Sequence, residues 1–180
     1  MSRLVRTIYP TPLRWLHWLM AGLIAVAWFI GDWAVEQEGP AKGAAIGLHI
    51  AVASGVLVFV LLRLALRAGA SVPGPLPSLP ARLLAQATHL MLYALMVLLP
   101  VSGWLAVNTA GRPFVLMKLL QMPSLVGRDP AWHGRFETLH ILMAWALACL
   151  VVLHVLAAAK HHWVDRDYTL ARMVPRLRRR

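Results

Sequence analysis

Four long apolar stretches, separated by polar or proline-rich segments, set the pattern of the chain. They run over about residues 13–33, 43–66, 82–107 and 137–160. A bilayer core about 30 Å thick needs about 20 apolar residues of helix to cross it, and each stretch is long enough. Only helices and closed barrels satisfy their backbone inside lipid. The pattern therefore predicts an all-α fold, an integral membrane four-helix bundle forming a single membrane domain over residues 1–180, with a basic tail over 161–180.

The punctuation agrees with this division. Pro12 suits the first turn of a helix, where its missing N–H is not needed. Arg14, Trp15 and Trp18 mark one interface of the first span, and Trp28 and Trp33 the other. Arg63 and Arg67 close the second span. Ala68–Pro80 carries Pro73, Pro75, Pro77 and Pro80 and reads as a linker. Pro100 and Gly103 fall late in the third span, where a kink is expected. Asn108–Phe136 is the longest connection, and within it Phe114–Gln121 is expected to form a short interfacial helix. The first apolar run continues as a full span, so no cleavable signal peptide is expected.

Composition sharpens the class. The chain has 180 residues, of which 59% are hydrophobic and 14% charged, and its mean hydropathy is +0.65. A soluble domain carries about 25% charged residues. The formal net charge of +11 does not point to nucleic acid, because the basic residues sit at the ends of apolar segments, where they act as topology determinants. Thirteen of the 18 Lys and Arg fall on the side of the termini, including Arg3, Arg6, Arg178, Arg179 and Arg180; Lys42, Arg112, Lys118, Arg128 and Arg135 fall on the other. The positive-inside rule then puts both termini in the cytoplasm. The single cysteine, Cys149, lies within a span, which leaves no intrachain disulfide and no thiolate cluster.

Four histidines inside spans carry the chemistry. Ionisable groups at membrane depth are costly and are functional candidates by default. His140 and His154 share the fourth span, 14 residues apart. That spacing returns to nearly one face and separates them by about 21 Å along the axis. With the topology fixed, His17 lies near the cytoplasmic face and His49 near the outer face. The four sort by depth into His17 with His154 and His49 with His140. Imidazoles from two facing helices are how a bundle holds a haem iron. Zinc fits less well, since it wants four clustered ligands. A di-metal carboxylate site would need a second Glu-x-x-His beside Glu137 and His140, and none is present. Ala21, Gly22, Ala45, Gly47, Ala51 and Ala53 would leave room for a flat macrocycle, or simply let helices approach.

These residues resemble a known family. R-W-L-H-W at Arg14–Trp18, His49 early in the second span, the His140/His154 pair and K-H-H-W-V-D-R-D at Lys160–Asp167 are similar, in order and spacing, to the bacterial cytochrome b-561 family. The resemblance implies an inner-membrane cytochrome with two haem b groups, whose axial ligands match His17, His49, His140 and His154. The family is related in fold to the membrane cytochromes of hydrogenases and formate dehydrogenases. One member type oxidises superoxide at the periplasmic side and reduces ubiquinone, and that oxidoreductase activity is the expected function. The alternative is an electron-transfer subunit serving a redox protein partner, with no substrate chemistry of its own.

Further candidates surround this set. His89, on the third span at the inner level, is open to three roles: ligand in place of His17 or His154, quinone pocket with Thr88, or packing. His161 lies nearly on the face of His154 and is a candidate for the haem edge. The resemblance implies a quinone near this segment, with His162 the preferred contact of the two. His133 is expected to be exposed in the outer loop. Arg112 and Arg135, with Lys118 and Arg128, are candidates to pair with haem propionates or to draw a diffusible anion such as superoxide to the outer mouth. Trp132 and Phe136 read as interface anchors.

Overall fold

The computed structural model describes residues 8–71, 73–74 and 78–177. Arg3 and Arg6, the linker's Pro75 and Pro77, and Arg178, Arg179 and Arg180 lie outside the described residues. Four long helices make the fold: α1 Thr11–Val35, α2 Gly39–Ala68, α3 Leu79–Thr109 and α4 Pro130–Trp163. All four are long and apolar enough to cross a membrane. Each begins with proline in its first turn, at Pro12, Pro40, Pro80 and Pro130. There the fixed φ is already helical and the missing N–H has no intrahelical acceptor to lose.

The helices extend beyond the spans read from hydropathy. At 25 to 34 residues they are about 38 to 51 Å long, so their ends project past a core of about 30 Å. The largest difference is at α4, which starts at Pro130 and not near Glu137. The Asp129 carboxylate accepts from the backbone N–H groups of Ala131 and Trp132 at 3.0 and 3.2 Å, capping two turns that carry too many polar residues to read as a span. His133 is consequently on the helix. It is half-buried, with its Nδ1–H donating to the Ala106 carbonyl at 2.9 Å, and is not the exposed loop residue expected.

Phe114–Gln121 is not a helix. Val115–Leu116 (β1) pairs antiparallel with Leu120–Gln121 (β2), and the turn uses positive φ at Met117 (49°) and Lys118 (59°). Two turns of helix between Pro113 and Pro123 would be too short to stand without packing. The hairpin instead anchors to the bundle: the Met117 N–H donates to Ser54 Oγ at 2.8 Å, and Phe114 is buried, its ring stacked 5.0 Å from that of Trp104.

The helices pack as two antiparallel hairpins, α1 with α2 and α3 with α4, joined along α2 and α3. Between α1 and α4 the contacts are made by rings, His17 to His154 and Trp28 to Trp145. One apolar cluster ties the four helices at mid-depth: Met20 from α1, Val56 and Val60 from α2, Met96 from α3 and Leu147 from α4. Away from it α4 is almost bare, with Leu142, Trp145, Val152, Leu153 and Leu156 all exposed. In a bilayer such a surface faces acyl chains.

The end of the bundle beside His17 and His154 (the inner end) is tied together across the chain. Past α4, two 3₁₀ turns at Leu170–Arg172 and Pro175–Leu177 fold back over the bundle and bury Ala171. The Arg172 carbonyl accepts from the Tyr9 N–H at 3.2 Å, and Arg172 Nη1 donates to the Gly74 carbonyl at 2.8 Å. The segment after α4 is thus a clasp joining Tyr9, just before α1, to Gly74 in the α2–α3 connection. Arg63 also departs from its expected place at the edge of α2. It is buried, 6% exposed, with its guanidinium bonded to the Leu13 carbonyl and to Tyr93 Oη.

Candidate functional site

The four span histidines converge in pairs. His49 and His140 have ring centroids 6.1 Å apart, and His17 and His154 are 6.2 Å apart. An iron–nitrogen bond of about 2 Å plus about 1.1 Å from nitrogen to ring centre, taken on both sides, would place two imidazoles holding one iron about 6.2 Å apart. Both pairs fit that separation. His89 also reaches the inner pair, but its centroid lies 5.5 Å from that of His154. This is shorter than two coordinate bonds require, and His89 sits on the exposed side of α3.

The outer pair is held by one motif used twice. His49 on α2 donates its Nδ1–H to the Ala27 carbonyl of α1 at 2.8 Å. One turn further along α1 is Gly31, where a Cβ would lie 2.9 Å from His49 Nδ1. His140 on α4 donates from Nδ1 to the Leu99 carbonyl of α3 at 3.1 Å and lies 3.0 Å from Ser102 Oγ. One turn past Leu99 is Gly103, where a Cβ would lie 3.2 Å from His140 Cε1. Each helix hairpin therefore docks one imidazole into a carbonyl-and-glycine notch on its neighbour. Because Nδ1 carries the proton, Nε2 keeps its lone pair, and this is the tautomer a metal ligand needs. Ser102 completes the network: its hydroxyl donates to Leu99 O at 2.7 Å and accepts from His140.

At the inner end the remaining candidates separate. His89 donates Nδ1–H to the Ala85 carbonyl in its own helix at 2.6 Å, leaving Nε2 free beside His154. His161 points to the clasp and not toward the histidine pair, with Nδ1 2.7 Å from Asp167 Oδ2 and 3.2 Å from Asp165 Oδ2. Asp165 in turn holds Lys160 at 2.7 Å. Burial raises the pKa of Asp167, but the Thr169 N–H and hydroxyl and the His161 imidazole outweigh it and hold the carboxyl below its ordinary range. His162 is half-buried with its ring edge-on to Trp163.

Arg112 and Arg135 do not meet a histidine pair. Arg112 lines an open hollow of about 390 Å³ with Asn108, Gly111 and Arg128, and the Arg128 stem lies over Gly111, whose φ of +78° leaves no tolerance for a side chain. Arg135 stacks its guanidinium over Trp132 at 4.8 Å on the exposed side of α4.

Sequence reasoning missed Gly31, Ser102 and Arg63. Gly31 carried no signal of its own and Gly103 read only as part of a kink, since nothing local says which ring each one meets. Arg63 carried a signal: it lies five residues inside the end of α2, and all seven acidic residues fall elsewhere.

The comparisons with known proteins converge on this architecture. Residues 8–176 match the family model described as prokaryotic cytochrome b561. Cytochrome b561 homolog 2 of Escherichia coli K12 is 32% identical over 88% of this chain and 86% of its own length. The probable superoxide oxidase CybB of Yersinia pestis is 28% identical over 91% of this chain and 93% of its own, and cytochrome b562 of Cereibacter sphaeroides is 28% identical over 88% and 90%. The chain belongs to the prokaryotic cytochrome b561 family. It is a bacterial membrane electron-transfer protein of the kind that works with b-type haem.

Proposed function

We propose that the protein is a di-haem b-type cytochrome of the inner membrane, with both termini cytoplasmic, that carries electrons from superoxide at the periplasmic side to ubiquinone near the cytoplasmic side. The observation that carries the reading is the pair of histidine sites at two depths, 6.1 and 6.2 Å between centroids. His49 and His140 would hold the outer haem, and His17 and His154 the inner one. Haem supplies one-electron chemistry, which lets single electrons from superoxide be matched to a two-electron quinone. The balance is two superoxide anions oxidised to two O₂, and one quinone taking two electrons and two protons.

The chain's own groups supply orientation and charge. At the outer end the Ala27 and Leu99 carbonyls fix the tautomer of both imidazoles. Arg112 and Arg128 around the outer hollow, with Lys118 on the nearby hairpin, draw in an anion and raise its on-rate. Arg135, stacked on Trp132 away from His140, suits this steering role better than a contact to a propionate. At the inner end, His89 keeps the lone pair of Nε2 on the lipid side of His154, where the hydroxyl of a reduced quinone head group would donate a hydrogen bond to it. His162 is the second candidate; His161 is committed to Asp167. The likeness to a probable superoxide oxidase supports the substrate. The test is a haem count of about two per chain by pyridine haemochrome, followed by superoxide-driven reduction of the haem bands and their reoxidation by a ubiquinone. Bands that superoxide leaves oxidised would favour the electron-transfer subunit.

A further inference from the structure

Arg63 is a full positive charge enclosed within the bundle, with no anion beside it among the described residues. It is 6% exposed. Its Nε donates to Tyr93 Oη at 3.2 Å and its Nη1 to the Leu13 carbonyl. Both partners are neutral. Lys160 with Asp165 and His161 with Asp165 and Asp167 form ion pairs in the clasp, and none of them includes Arg63. Asp32, Glu36, Glu38, Asp129 and Glu137 lie toward the opposite end. A buried cation without a counter-charge is among the costliest arrangements a protein can hold, more so at membrane depth. Of the five N–H donors of a guanidinium, the hydrogen bonds engage two.

The position of this charge is specific. Leu13 is one helical turn before His17 on α1, so the carbonyl that Arg63 binds is the one that the His17 N–H reaches in the helix. Tyr93 is one turn past His89 on α3. The guanidinium thus bridges the turns that carry two of the three inner histidines. Among the described residues no cation inside the bundle occupies an equivalent place at the outer pair, where Ser102 and backbone carbonyls are the polar neighbours.

We propose that Arg63 is a positioning residue that supplies the counter-charge for the anionic inner cofactor, taking a haem carboxylate on its free donors and making the inner haem the more easily reduced of the two. This rests on the di-haem reading. Reduction adds one negative charge to the haem, so a fixed cation favours the reduced form, and it does so strongly where no water screens it. The asymmetry gives electron flow its direction, from the outer haem to the inner.

The experiment uses the purified holoprotein in detergent, with haem per chain and a spectroscopic redox titration as readouts. The inner haem is identified as the one lost in His17→Ala. Arg63→Gln is expected to lower the inner midpoint by a tenfold or larger change in the reduction equilibrium, about 59 mV for one electron, and to leave the outer midpoint in place. Arg63→Lys is expected to restore most of the shift. If Arg63→Gln sheds the inner haem, Arg63→Lys should retain it, and an Arg63→Met protein that keeps the inner haem at its native midpoint overturns the proposal. Two haems with unmoved midpoints in Arg63→Gln overturn it as well, and leave the di-haem reading standing. A wild-type protein with one haem or none overturns that reading and this inference together.

Discussion

Gly31 on α1 and His49 on α2 are in contact: a Cβ at Gly31 would lie 2.9 Å from His49 Nδ1. The imidazole occupies the space a side chain would take, and it is held there by the Ala27 carbonyl one turn earlier. Gly31→Ala should therefore push His49 off its carbonyl. Overpacking of this kind typically costs about 1–3 kcal/mol. The expected outcome is loss of most of the outer haem, with the inner haem retained. Gly103→Ala should act the same way through His140, more mildly, since its nearest contact is 3.2 Å. Gly69→Ala, with nothing within 4 Å, is the control. Haem counts resolved by band position check all three, and equal outer-haem occupancy in all three would contradict the notch.

Ser102 orients His140 without being able to bind a metal strongly itself. Its hydroxyl, 3.0 Å from Nδ1, shares the proton's direction with the Leu99 carbonyl. Removing such a partner typically costs about 10–100-fold in affinity for the bound metal. Because Leu99 O remains as an acceptor, Ser102→Ala should fall near the lower limit, a roughly tenfold faster loss of the outer haem to a haem-scavenging protein. An unchanged rate would show that the carbonyl alone fixes the ring.

The helical frame and the paired histidines were readable from residue patterns because both follow simple rules. Apolar length gives the spans, and their alternating direction gives depth, which alone pairs His17 with His154 and His49 with His140. What escaped depended on contacts between segments far apart in sequence. Phe114–Gln121 becomes a hairpin because Ser54, on another helix, accepts from Met117. The segment 164–177 becomes a clasp because Tyr9 and Gly74 meet Arg172. Arg63 reads as an interface residue until Leu13 and Tyr93 are seen around it. The two turns of α4 before Glu137 were hidden by their own polarity, since Asp129, His133, Arg135 and Glu137 break the apolar run.

The clasp should be acid-sensitive through Asp167. Its carboxyl is held below its ordinary value despite partial burial, by the Thr169 N–H and hydroxyl and by His161. A carboxylate with a lowered folded-state pKa stabilises the fold above its unfolded value of about 3.9 and loses that contribution as pH falls through the lower, folded value. Hydrogen exchange over Lys160–Leu177 should therefore stay protected from pH 7 down to about pH 4 and accelerate below it. In Asp167→Asn the segment should exchange faster at neutral pH and lose this step. A step of equal size in the wild type and the variant would assign it to other groups, Asp165 first.

The most direct measurement is the haem count of the single substitutions His17→Ala, His154→Ala, His49→Ala and His140→Ala, with His89→Ala beside them, each read with its reduced-minus-oxidised spectrum. The expected result is two classes. His17→Ala and His154→Ala lose the same haem, His49→Ala and His140→Ala lose the other, and His89→Ala keeps both while slowing reoxidation by quinone. Loss of a haem in His89→Ala with full retention in His17→Ala would contradict the inner pairing, and a wild-type protein without haem would contradict the whole reading.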